Sequence, residues 1–176
     1  FLNSDRKGIA KLEGYLFPDT YEFFVNENPE HAIRRLLDNF TAKMDEELMS
    51  QVEASGYSLD QIITIASLIE KETDGADRTK IASVIYNRLK NVGETYHKLE
   101  IDAAVIYGLG YANGESYAGP LTQSDLEKDT PYNLRLHEGL PPTAICNPGL
   151  ASIRAAVEPA DTNYYFYALG KDGVHH

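Results

Sequence analysis

Apolar residues recur at helical spacing along the first half of the chain. Ile33, Leu36, Leu37, Phe40, Met44, Leu48 and Val52 follow this period. Asn28 can cap this helix with Pro29 at its first position, and Gly56 is a stop. Ser58 and Gln61 have the spacing of a capping box, which predicts a second helix over roughly 59–72. A third is predicted over about 77–92, with Ile81, Val84, Ile85, Leu89 and Val92 on one stripe.

The second half is less regular. Residues 103–109 read as a short helix ended by glycines, and Thr122 to Lys128 as another, with Thr122 as cap and Asp125 three residues on. Residues 129–149 hold Pro131, Pro141, Pro142 and Pro148, an irregular loop whose last proline opens a helix to Val157. The aromatic run 163–169, N-Y-Y-F-Y-A-L, reads as a strand, and residues 12–25 as two extended pieces around a turn at Pro18-Asp19. The expectation is one helix-dominated α+β domain over 1–176, with a small antiparallel sheet from the chain ends.

Composition narrows the function. The 176 residues suffice for a core, and 43% hydrophobic with 24% charged is an ordinary globular balance. A net charge of −11 repels phosphate backbones, so nucleic acid is disfavoured as a partner. The single Cys146 excludes an internal disulfide and a cysteine zinc site. No run of apolar residues is long enough to span a membrane. The abrupt start at Phe1 suggests a piece of a longer protein.

The chemistry gathers where the second helix ends, A-S-L-I-E-K-E-T (66–73). Glu70 and Glu72 are two apart and face nearly opposite sides, so they cannot form one two-carboxylate site. Glu70 shares a face with Ile63, Ala66 and Ser67, whose small side chains leave room beside it. Glu72 shares a face with Ile65, Leu68 and Ile69. Periodicity leaves open whether either is held in an apolar cleft or is simply in a solvated last turn. Arg88 falls inside the apolar stripe of the third helix and needs a partner, with Glu72 and Asp102 the candidates. Its head reaching water is the alternative. Twelve tyrosines could line a sugar-binding cleft, although most will be core or half-buried surface. The five histidines show no metal spacing apart from the terminal pair, and there is no phosphate loop or G-x-S-x-G. No metal and no cofactor are expected.

Seven stretches in order resemble one family: L-E-G-Y-L-F-P-D-T-Y (12–21), A-S-L-I-E-K-E-T (66–73), I-A-S-V-I-Y-N-R-L (81–89), D-A-A-V-I-Y-G-L-G (102–110), D-T-P-Y-N-L-R (129–135), G-L-P-P-T-A-I-C-N-P-G (139–149) and A-A-V-E-P-A (155–160). They are similar to the MltG/YceG-like family, the endolytic murein transglycosylases. The closing D-G-V-H-H also resembles the family's own ending, which speaks against a tag. The resemblance implies a lysozyme-like catalytic domain. It also implies a full-length protein with an N-terminal transmembrane anchor, a LysM-like subdomain and an extracytoplasmic catalytic part. The implied substrate is peptidoglycan glycan strands, cut at MurNAc-β-1,4-GlcNAc bonds to leave anhydro-MurNAc ends. Peptidoglycan synthases are candidate partners.

The resemblance places the catalytic glutamate on Glu70, acting as acid and then base. Such a residue needs an apolar setting, so Arg88 is expected to hold Glu72 rather than Glu70. Asn87 is a candidate contact for an N-acetyl group. Glu100 and Asp102 stand in a segment that reads L-E-I-D-A where the family usually has L-Q-[ST]-D-P. Tyr132, Asn133, Leu140 and Pro141 are expected along the cleft. Two further readings remain: a non-catalytic murein-binding module, and a muramidase with Glu100 or Asp102 as second carboxylate.

Overall fold

The computed structural model describes residues 12–91, 93–113, 117–171 and 175, without the side chains of 111–113. The first predicted helix is in fact two, α1 (Pro29–Lys43) and α2 (Glu46–Ser55). Asp45 breaks them apart: its backbone is extended and its carboxylate accepts the Leu48 N–H at 2.9 Å. The apolar period runs straight through this break, since Phe40, Met44, Leu48 and Val52 all reach the core.

The next helices follow the pattern closely. α3 (Leu59–Glu72) has its Ser58–Gln61 capping box formed in both directions, and α4 (Arg78–Lys90) follows after a short turn. Val92, expected on the α4 stripe, lies outside the described residues. α5 (Asp102–Asn113) is longer than expected, α6 (Gln123–Leu126) carries the Thr122–Asp125 box, and α7 (Leu150–Val157) starts from Gly149.

α3 is the axis of the domain. Ile62 to Ile69 are all buried, and α3 packs on α7, α4, α5 and α2. Each fully buried Ile or Leu is worth about 1.5–3 kcal/mol. The N-terminal segment closes over this axis at Gly14, where φ is +94°. A Cβ there would stand 2.6 Å from Ile63 Cγ2 and 2.8 Å from Ala144 Cβ. Asn147 Oδ1 fixes the approach, accepting the Gly14 and Leu16 N–H groups at 2.8 and 3.1 Å.

The expected sheet is absent among the described residues. Residues 12–25 form turns and irregular backbone, and the C-terminal run makes a single antiparallel bridge, Leu169 to His175. The carbonyls of residues 162, 164 and 165 instead find their partners on α4. Asn87 Nδ2 donates to the Thr162 and Tyr164 carbonyls at 2.8 and 2.9 Å, and Arg88 Nη1 to the Tyr165 carbonyl at 3.0 Å. Side chains thus supply donors to these carbonyls where a neighbouring strand would have been expected to do so.

Candidate active site

The last turn of α3 sends its two glutamates into different surroundings. Glu70 faces the start of α7. Its Oε2 accepts the Ser152 hydroxyl at 2.5 Å and the Gly149 N–H at 3.3 Å. Ser152 is held in turn by Arg78 Nε at 3.2 Å. The room that Ala66 and Ser67 leave is filled by the loop before α7. The Ile145 N–H donates to Ser67 Oγ at 3.0 Å, and the Cys146 thiol lies 3.4 Å from the Ser67 carbonyl. Burial pushes that thiol up to about 12, and the Glu70 charge adds to it. Cys146 therefore stays a protonated packing residue rather than a nucleophile.

Glu72 faces a cleft of about 220 Å³. Arg88, Glu100, Asp102, Arg135, Tyr165, Phe166 and Tyr167 line it with Glu72. The Tyr167 hydroxyl donates to Glu72 Oε2 at 2.8 Å. Burial raises the Glu72 carboxyl from its ordinary value. The Tyr167 hydrogen bond opposes this, the Asp102 charge adds to it, and His175 opposes it. The net effect on Glu72 favours its protonated form.

Arg88 is buried, with 5% of its surface exposed, but its partner is neither Glu72 nor Asp102. Its Nη2 meets Glu100 Oε2 at 2.8 Å, its Nε donates to the Lys98 carbonyl at 2.8 Å, and its guanidinium lies over the Phe166 ring. The expected pairing is corrected by chain geometry: Glu100 has a positive φ of 56°, which turns its side chain back onto α4. Asp102 is held by Arg135, at 3.0 Å to Nε and 2.6 Å to Nη2.

Of the ten residues singled out from sequence, the structure gathers Glu72, Arg88, Glu100 and Asp102 in the cleft. The other six lie outside the lining of that cleft. Glu70 ties α3 to α7, and Asn87 holds the 162–164 backbone. Tyr132 is buried, its hydroxyl 2.8 Å from Thr143 Oγ1 and its ring on Tyr107. Asn133 is fully buried and donates to the Leu126 and Lys128 carbonyls. Leu140 packs on the core and Pro141 is buried. Sequence reasoning passed over Arg135 and Tyr167. The first closes the D-T-P-Y-N-L-R stretch, and the second is an alternate residue of the aromatic run.

The YceG-like family model matches residues 2–176. The chain belongs to the YceG-like family. It is 37% identical over 163 residues to an endolytic murein transglycosylase of Bacillus subtilis strain 168, covering 92% of this chain and 43% of that protein. It is 33% identical over 168 residues to the endolytic murein transglycosylase of Streptococcus pneumoniae D39, covering 93% of this chain and 29% of that one. The crystal structure of a YceG-like protein of Listeria monocytogenes superposes with a TM-score of 0.83 at 34% identity. That match covers 99% of this chain and 54% of that one. The chain therefore spans less than half the length of these curated relatives. No helix among the described residues is long and apolar enough to cross a membrane.

Proposed function

We propose that this YceG-like domain is a lytic transglycosylase acting inside murein glycan strands, with Glu72 rather than Glu70 as its acid and base. The observation that carries this is the half-buried, proton-favouring Glu72 carboxyl at the wall of an aromatic-lined cleft. Tyr167 occupies Oε2, which leaves Oε1 to carry the proton. Oε1–H donates to the glycosidic oxygen as the bond from the MurNAc anomeric carbon breaks. The MurNAc 6-hydroxyl then closes on that carbon and returns its proton to Glu72. One group serves both steps, which needs a carboxyl poised near the working pH.

Tyr165 and Phe166 offer faces for sugar rings, and Arg88 and Arg135 engage Glu100 and Asp102. Two arginine-bound carboxylates make poor nucleophiles, which favours ring closure over a two-carboxylate hydrolysis. Asp102 in the same cleft is the observation that favours the hydrolytic reading. In the longer protein, an N-terminal anchor would place this domain outside the membrane beside the synthases that make its substrate.

The test is the mass of new ends after incubation with uncrosslinked murein glycan. Anhydro-MurNAc ends are expected. Reducing ends carrying added water would replace this reading with the hydrolytic one, and no new ends would favour a binding module.

A further inference from the structure

Tyr167 is itself held from behind. His175 stacks edge-on against its ring, with centroids 5.4 Å apart and planes at 87°. His175 is fixed on Asp77, to which it donates its backbone N–H at 2.9 Å and sets its Nδ1 at 2.6 Å. Thr73, the residue after the α3 glutamates, donates its hydroxyl to the other Asp77 oxygen at 2.6 Å. The His175 and Asp77 side chains are 10% and 6% exposed, so this pair is shielded from solvent. The contacts form a closed circuit from the end of α3, through the start of α4 and the chain end, back to Glu72.

We infer that His175, clamped on Asp77, is a positioning residue for Glu72 and acts through Tyr167. The inference rests on Glu72 being the proton donor. A tyrosine at the margin of an open cleft can swing away, and its hydroxyl then no longer selects one carboxyl oxygen. The His175 ring blocks that swing. It fixes the Tyr167 hydroxyl on Oε2, so the proton resides on Oε1. The charged and titratable groups around Glu72 are Tyr165, Tyr167 and His175 from the chain end, Asp102 from α5, Arg88 from α4, Glu100 before α5, and Arg135 from the irregular loop. Of these, only Tyr167 makes a hydrogen bond to Glu72 among the described residues.

The experiment is a double-mutant cycle with Tyr167→Phe and His175→Ala, read in kcat, in KM and in a 13C titration of the Glu72 carboxyl in the uncomplexed protein. Each single change should lower kcat about tenfold with KM nearly unchanged. The double variant should lose no more than either single one, because both act through one hydroxyl. Tyr167→Phe keeps the ring and the clamp and should move the carboxyl titration to higher pH, since the lost O–H favoured the carboxylate. Asp77→Asn, which leaves the His175 ring in the chain, should give the same non-additivity if His175→Ala folds poorly. Losses that multiply, or an unmoved titration in Tyr167→Phe, would overturn the inference. An unmodified chain that makes no cut in murein would refute the proposed function alone, and the carboxyl titration would still decide this point.

Discussion

The two sides of the last α3 turn differ in what covers them. On the Glu70 side, backbone 145–149 and the Ser152 hydroxyl close over the helix and take up the carboxylate. On the Glu72 side, side chains from α4, α5 and the chain end stand back and leave a cleft. Two glutamates in one short motif thereby meet different surroundings, one the start of α7 and the other a cleft.

The largest expected effect separates these roles in activity. Glu72→Gln should lower glycan cleavage by about 10²–10⁴-fold, the usual contribution of a general acid. Glu70→Gln should keep cleavage within about threefold but cost about 1–2 kcal/mol in a denaturant melt, because a neutral amide oxygen is a weaker acceptor than the carboxylate for the Gly149 N–H and the Ser152 hydroxyl.

Next in size is the brace beneath the cleft. Arg88→Ala should cost about 2–4 kcal/mol, since two carbonyls lose their donor and Glu100 loses its partner. Arg88→Lys should recover little, because one ammonium cannot reproduce three separate directions. Recovery close to full stability in the lysine variant would mean that only the charge matters.

The smaller effects lie in pH. The Glu72 carboxyl is raised in the folded protein, so its contribution to stability is fully present below the ordinary glutamate range and is lost as pH rises through the folded value. Glu72→Gln should remove that slope from the stability profile. Asp77 is held well below its usual range; burial opposes this, and the Thr73 and His175 hydrogen bonds outweigh burial. Its contribution is present above the ordinary aspartate range and is lost as pH falls, so Asp77→Asn should flatten the acid side of an unfolding series. Asp102→Asn removes a neighbouring negative charge and should move the alkaline limb of cleavage to lower pH.

What the sequence disclosed follows from these contacts. Periodicity and capping located α3 and α4 because both elements bury one clear face and carry local end signals. The α1–α2 break was hidden because Asp45 interrupts the backbone without interrupting the apolar period. The strand over 163–169 was misread for a related reason. A run of aromatics reads as a strand, but the pattern does not reveal that Asn87 and Arg88 supply the donors to the carbonyls of 162, 164 and 165. The surroundings that distinguish Glu70 from Glu72 come from residues 79 or more positions away, Gly149 and Ser152 against Tyr167. Spacing within one motif carries no trace of them.

The most direct measurement compares end products from the unmodified chain, Glu70→Gln and Glu72→Gln on the same uncrosslinked glycan by mass spectrometry. Anhydro-MurNAc ends should persist in Glu70→Gln and vanish in Glu72→Gln. Ends that vanish in Glu70→Gln and persist in Glu72→Gln would contradict the account.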